Sequence, residues 1–220
     1  MFDRRKFYDK IRRPLFNGGL VQTQVDGLEA LIDEYVRRTI DKRWFAYILA
    51  TAYHEVDRTM QPIEEYGHGV GHPYVPYYGR GLVQLTWKNN YKKMGGKLTP
   101  PEDLVGNPEL ALRIDIAIQV IFMGMIDGDF ASRHKLSRYF NDQGSDWYNA
   151  RRIVNGLDKA TAIAGYATKF YNAILSAEGF FRDRLDDFIN SKSDKRTQER
   201  GVLDFSIEEE ALFILSDDDI

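Results

Sequence analysis

Hydrophobic residues recur at helical spacing along most of the chain between residues 20 and 176. The first such segment follows Thr23, which is suited to cap a helix and has Asp26 three residues later. A second segment, rich in alanine, leucine and aromatic residues, runs from about Asp41 to Val56. Residues Asp115 to Ile126 are almost continuously hydrophobic, which predicts a helix buried on most of its sides.

The remaining pattern predicts two further helices and a long irregular loop. One helix is expected from Asp146 to Val154, and Asp158 is expected to cap another that runs to about Leu175. Prolines and glycines interrupt the pattern from Thr59 to Tyr78, and a turn with a short strand is predicted over Gly79 to Leu85. The predicted fold is mainly α, with long loops and at most a small β element.

Three regions are predicted from these changes of pattern. Residues 1–20 are interpreted as a polar N-terminal arm that ends in a turn at Asn17-Gly18-Gly19. Residues 21–178 are predicted to form the main folded domain. Residues 179–220 are predicted to contain one more helix, Phe180 to Ile189, followed by a charged linker and an acidic tail.

Composition narrows the classes of partner. The 220 residues suffice for one well-buried domain, and the net charge of −3 gives no global basic field, so no nucleic-acid partner is predicted. There are no cysteines, and no apolar stretch has the length of a signal peptide or a membrane span. His68 and His72 lack an evident third ligand, so neither a metal nor another cofactor is predicted.

Glu55 is the first candidate for acid chemistry. It follows Ile48 by seven residues and Ala52 by three, so it projects along the helix face that these apolar side chains bury. A carboxylate held there loses solvation, which favours the protonated form that a general acid requires. The alternative is a glutamate at a helix end that reaches water or pairs with Arg58.

A second carboxylate is needed for the hydrolysis of a glycosidic bond, in which one group acts as acid and the other as base or nucleophile. Glu64 and Glu65 lie in the loop that leaves the helix of Glu55. A base separated from the acid by about 6.5–9.5 Å leaves room for a water and gives inversion of configuration. Alternatively, adjacent loop glutamates are ordinary solvated surface charge.

The segment from Tyr77 to Tyr91 has the chemistry of a carbohydrate groove. Its amide and hydroxyl side chains can bond sugar hydroxyl and acetamido groups, and Trp87 and the tyrosines offer flat faces to sugar rings. The alternative is an ordinary strand and turn that pack in the core.

Residues 79–91, Gly-Arg-Gly-Leu-Val-Gln-Leu-Thr-Trp-Lys-Asn-Asn-Tyr, closely resemble the hallmark segment of glycoside hydrolase family 19, which comprises chitinases with lysozyme-like folds. Four further segments are similar to landmarks of this family in the expected order: Ala52–Glu55, Glu65–Gly67, Asn107–Ala111 and Ile153–Gly156. The resemblance covers about residues 20 to 176. It implies a lysozyme-like helical domain in two lobes, with its cleft floored by the segment from Arg80 to Tyr91.

The resemblance also implies roles for individual residues. Glu55 would be the general acid, Glu65 the general base, and Thr86 the hydroxyl that holds the attacking water. The residues implied to bind substrate are Gln84, Trp87, Asn90, Tyr78, Arg80 and Asn155. No equivalent of the family's late arginine is found near Tyr166 to Phe170.

These observations predict an inverting glycoside hydrolase acting on β-1,4 bonds of N-acetylated amino-sugar polymers. A chain without cysteines or long loop insertions is similar to the bacterial and phage branch, so peptidoglycan is the first expected substrate and chitin the second. Without a signal peptide, the protein is expected to be made in the cytoplasm and to reach the cell wall through a separate pore, as phage endolysins do. The rival from another class is a catalytically silent glycan-binding or virion structural module.

Overall fold

The computed structural model describes residues 2–179 of the chain. Its α-helices are α1 (Arg4–Phe16), α2 (Gln22–Arg38), α3 (Lys42–Glu55), α4 (Lys88–Lys97), α5 (Ile114–Asp127), α6 (Leu136–Tyr139) and α7 (Ala160–Ala177). Short 3-10 helices cover Pro108–Leu112 and Asn149–Ile153. Two antiparallel pairs of two-residue strands complete this part of the chain: β1 (Ile63–Glu64) with β2 (Arg80–Gly81), and β3 (Phe140–Asn141) with β4 (Gly144–Ser145). Because helices make up 56% of the structure, the predicted mainly α fold is confirmed.

Helix α3 lies at the centre of the core. Its residues 45–53 are all buried, and it packs most extensively against α7 and also contacts α5. A helix buried on every side needs apolar residues all around its axis, which explains why the segment lacks a polar stripe. Asp41 begins the helix by accepting a hydrogen bond from the backbone N–H of Arg43 at 2.8 Å. The predicted helices at about 41–56 and 115–126 are therefore confirmed.

The predicted polar arm at residues 1–20 is wrong. Residues Arg4–Phe16 form α1, which packs against α7 and buries Phe7 and Ile11 completely. Phe7, Ile11 and Leu15 are four residues apart and form one apolar stripe, whereas the charged residues between them face outwards. Asp3 caps this helix through a 3.1 Å bond from the N–H of Lys6.

Three element boundaries differ from the prediction. Helix α2 begins at Gln22 rather than after Thr23, and the Gln24 side chain accepts a 3.0 Å bond from the Val21 N–H. Only the 3-10 helix Asn149–Ile153 forms where a helix from Asp146 was expected. Helix α7 begins after Lys159, without a side-chain cap from Asp158.

The irregular segment after α3 is closed by a small hairpin. In β1–β2, Ile63 pairs with Gly81 and Glu64 with Arg80. A tight turn then brings Leu85 back to Arg80, with backbone bonds of 3.2 and 2.9 Å. The strand therefore precedes the turn, the reverse of the predicted order. The hairpin brings residues 64 and 65 beside the segment from Gly79 to Thr86.

Within residues 2–179, no helix combines the length and the apolar character needed to cross a membrane. The predicted helix from Phe180 to Ile189, the linker and the acidic tail lie outside the described residues.

Candidate active site

A cleft of about 620 Å³ collects most of the predicted site residues. Its walls come from the end of α3, the β1–β2 hairpin with its following turn, the start of α4, and the segments around residues 130 and 155. The predicted residues in its lining are Glu55, Glu65, Gln84, Thr86, Trp87, Asn90 and Asn155. Pieces of chain that are up to 100 residues apart in sequence are thus brought together in one cavity.

Glu55 is the last residue of α3, and its side chain is only 14% exposed. The carboxylate is therefore largely shielded from water and lies at the C-terminal end of the helix. Arg151 Nη1 donates to Glu55 Oε1 at 2.6 Å. Within residues 2–179, the second oxygen, Oε2, has no hydrogen-bond partner.

Arg151 is a site residue that the sequence interpretation missed. Its side chain is 4% exposed, and its Nε donates to the carbonyl of Asp158 at 3.0 Å, which fixes the guanidinium beside Glu55. The pairing of Glu55 with Arg58, considered as an alternative from the sequence, is replaced by this contact. The available signal was the position of Arg151 two residues before the Ile153–Gly156 landmark.

His54 precedes Glu55 and is half-buried. Burial lowers its pKa below the ordinary value, and the positive charge of Arg151 acts in the same direction. The negative charge of Glu55 acts against this shift without cancelling it. His54 is therefore neutral at neutral pH.

Glu65 follows β1 and is held by neutral donors. The backbone N–H of Gly79 donates to Oε2 at 2.9 Å, and the hydroxyl of Tyr74 donates to Oε1 at 2.7 Å. The Glu65 N–H in turn donates to the Gly79 carbonyl at 2.7 Å. These contacts tie the carboxylate to the hairpin while its side chain remains partly exposed in the cleft.

Glu64, the neighbouring glutamate, is occupied elsewhere. Its Oε1 accepts a 2.8 Å bond from Tyr78, and Arg80 and His68 lie 3.3 and 3.4 Å from its oxygens. The Tyr78 bond holds the pKa of Glu64 below its ordinary value, and the nearby Arg80 and His68 lower it further. Glu64 does not line the cleft, which agrees with the preference for Glu65 over it.

Thr86 and Trp87 lie where the backbone is strained. Trp87 has a φ of +75° and Gln84 a φ of +52°, a region that non-glycine residues rarely adopt. The Thr86 hydroxyl donates to the Gln84 carbonyl at 2.8 Å, so its oxygen remains able to accept a bond from a ligand. The Trp87 ring is half exposed at the cleft.

Each of the three predicted amides lines the cleft and is oriented by a bond to the protein. Gln84 Nε2 donates to the carbonyls of Ile63 and Gly81 at 3.2 and 3.4 Å. Asn90 Nδ2 donates to the Thr86 carbonyl at 2.8 Å, and Asn155 Oδ1 accepts from the Gly156 N–H at 2.8 Å. The amide oxygens of Gln84 and Asn90 and the amide nitrogen of Asn155 are left to meet a ligand.

Tyr78 and Arg80 are not part of the cleft lining. Arg80 is 3% exposed, and its guanidinium lies 3.7 Å from the centre of the Tyr78 ring. It also forms an ion pair with Glu109 at 2.9 Å and does not reach the surface of the cavity. Arg80, predicted to bind substrate, is a buried charge that joins the hairpin to the Pro108–Leu112 helix through Glu109. Tyr78 serves the same internal network.

Phe130 and Val154 line the cleft without having been predicted. Phe130 rests directly on the backbone of Gly124 in α5, where an added Cβ would lie 1.9 Å from the ring. Glycine at this position therefore allows the ring to reach the cleft. Neither residue carries a chemical signature that a sequence pattern would reveal.

Comparison of the chain with protein-family models and with curated proteins gives no match in either case. The geometry of the cleft and the resemblance in sequence are the grounds for assigning a function.

Proposed function

We propose that the chain is a glycoside hydrolase that cleaves β-1,4 bonds between N-acetylated amino sugars with inversion of configuration. Its fold would be that of a two-lobed, lysozyme-like domain. The observation that carries the proposal is that Glu55 and Glu65, from different elements, line one cleft together with a hydroxyl, three amides and an exposed indole ring. Two carboxyl groups beside one sugar bond are the minimum for this reaction.

Glu55 would protonate the leaving glycosidic oxygen. Its Oε2 is the atom available for this transfer, since Oε1 is bonded to Arg151. Once the proton leaves, the guanidinium of Arg151 stabilises the carboxylate that forms.

Glu65 would accept a proton from the attacking water. A water that donates one hydrogen to Glu65 and the other to Thr86 Oγ1 keeps a lone pair free for the anomeric carbon. Thr86 can accept this bond because its own hydrogen is directed to the Gln84 carbonyl. Attack by this water while Glu55 protonates the leaving group accounts for all protons and produces the inverted anomer.

Trp87 and the amide groups would bind the sugars. A half-exposed indole offers an apolar face to a pyranose ring, and the amides can bond hydroxyl and acetamido groups. Peptidoglycan is the first proposed substrate and chitin the second. The proposed setting is lysis of a cell wall by a bacteriophage or prophage enzyme.

The test compares the loss of turbidity of purified cell walls with the release of soluble products from chitin oligomers. Replacing either Glu55 or Glu65 by Gln is expected to lower the rate by about 10²–10⁴-fold, the range for a general acid or base. Glu64→Gln is the matched control, because it removes the neighbouring carboxylate outside the cleft. Its rate is expected to stay within about threefold of wild type, which corresponds to a difference of about 0.7 kcal/mol in activation free energy.

Three outcomes would contradict the proposal at different points. A wild-type protein inactive on both substrates, but retaining wall binding, would favour the silent glycan-binding module. Near-normal activity of Glu55→Gln would remove Glu55 as the acid. NMR detection of the retained β-anomer as the first product would exclude direct attack by water.

A further inference from the structure

Glu65 stands on an irregular part of the chain, yet both of its carboxylate oxygens are bonded. One donor is a backbone N–H, that of Gly79, and belongs to the hairpin. The other is the hydroxyl of Tyr74, nine residues along the chain, at 2.7 Å. A single bond would leave the carboxylate free to rotate about it, whereas two bonds to different oxygens fix the carboxylate plane.

Tyr74 is itself held on several sides. Its ring stacks on His72, with centres 4.9 Å apart and planes 4° from parallel, and meets the edge of Trp87 at 5.4 Å. Gly69, at a φ of +66°, comes so near that an added Cβ would lie 2.6 Å from the ring. The close approach of this glycine and the two ring contacts leave the hydroxyl directed at Glu65.

We propose that Tyr74 is a positioning residue that orients the Glu65 carboxylate towards the attacking water. This inference rests on the proposed function, because it concerns Glu65 as the base. Gly79 and Tyr74 each use one lone pair, which leaves one on each oxygen to accept the proton of the water. Tyr74 also contacts Trp87, whose ring would touch a sugar. The same tyrosine therefore supports both the base and one wall of the cleft.

The bond to Glu65 raises the pKa of the Tyr74 hydroxyl above its ordinary value, and burial adds to this. Tyr74 therefore stays protonated and remains a hydrogen-bond donor throughout the neutral pH range. Because Tyr74 does not ionise, Glu65 alone would accept the proton of the attacking water.

The test is Tyr74→Phe, which keeps the ring contacts and removes the hydroxyl. The expected result is a fall in kcat of about 10–100-fold with KM within about twofold of wild type, because the base loses one of the two bonds that fix its carboxylate plane. Tyr8→Phe is the matched control: it removes a similar hydroxyl bond, 2.8 Å to Glu29, from a residue of α1 that does not line the cleft, and its kcat should not change. Thermal unfolding of both variants checks that each is folded.

A second measurement does not depend on activity. The titration of Tyr74, followed by NMR of its labelled ring carbon, should move to lower pH in Glu65→Gln, since the negative partner is lost. An unchanged titration would show that the contact is absent in solution and would overturn the inference.

The kinetic outcomes separate this inference from the proposed function. An active wild type with an unchanged kcat in Tyr74→Phe overturns the inference alone. A rise in KM with kcat unchanged would make Tyr74 a substrate contact and also overturn it. A wild type inactive on both substrates overturns the proposed function, and the catalytic role of Tyr74 with it.

Discussion

The two carboxylates of the cleft are held in contrasting ways. Glu55 ends a helix that is buried on every side, and its partner is the charged side chain of Arg151, almost 100 residues away in sequence. Glu65 lies beside a two-residue strand and is held by neutral donors, Gly79 and Tyr74, from its own stretch of chain. A charged partner in the core ties Glu55 to the stability of the whole fold, whereas local neutral bonds tie Glu65 to the hairpin alone.

The largest expected effect is on the helical side. Arg151→Ala leaves Glu55 with little water and no counter-ion, and removing one member of a buried ion pair costs about 3–5 kcal/mol. Urea unfolding at neutral pH measures the loss. Adding Glu55→Gln to this variant should restore part of the stability, because it removes the unpaired charge.

Arg113→Ala is the control for that experiment, since it breaks an exposed pair with Asp115 at 2.7 Å. Its unfolding midpoint is expected to stay at the wild-type value. If Arg151→Ala behaved in the same way, the ion pair would not be buried in solution and the contrast between the two carboxylates would disappear.

An intermediate effect is expected on the hairpin side. Gln84→Ala removes the two side-chain bonds to the carbonyls of Ile63 and Gly81, at a cost of about 1 kcal/mol. Hydrogen exchange should become faster at the Glu65 amide, which bonds to Gly79, and stay slow within α3. Gln119→Ala, which removes a bond to the Thr99 N–H outside the cleft, should leave the Glu65 amide unchanged. Equal acceleration in α3 would show that the hairpin does not open independently.

The smallest effect concerns His54 and pH. Its pKa is lowered in the folded protein, so between that value and the ordinary 6.5 the unfolded chain binds more protons. The stability that neutral His54 provides is complete above pH 6.5 and is lost as the pH falls through this window. For one proton the slope stays below about 1.4 kcal/mol per pH unit.

Urea unfolding of wild type and His54→Gln at several pH values between 5 and 8 measures this difference. The groups whose charges act on His54 are Glu55, Arg151, Asp158 and Lys159. They are the same in both proteins, so the difference reports the histidine. Parallel stability curves would show that burial does not affect its protonation.

The sequence predicts helices well where their apolar pattern is strong. Residues 115–126 have scarcely any polar residue, so only a buried helix accommodates them. In α1 the apolar stripe of Phe7, Ile11 and Leu15 is surrounded by charged residues, and the local composition conceals it. The partner that buries this stripe, α7, is far away in sequence, and no local pattern reveals it.

The candidate site likewise combines residues that the local sequence reveals with residues whose roles depend on distant contacts. The carboxylates, the amides and Thr86 are identified by chemistry and by a continuous resemblance in sequence. Arg151 was missed because its contact with Glu55 spans 96 residues, and the burial of Arg80 was not foreseen because a sequence motif does not show burial. The positions of both arginines depend on contacts between distant segments, and only the folded structure contains that information.

The contact between α1 and α7 also bears on how the chain can be rearranged. The Asp3 N–H donates to the Ala177 carbonyl at 2.8 Å, so the beginning of α1 touches the end of α7. A short linker could join these two points, and new ends could be opened in an exposed loop, giving a circular permutant of residues 3–177. A fragment starting at residue 21 would instead expose the α7 surface on which Phe7 packs, so a shortened form of the protein should keep the first helix.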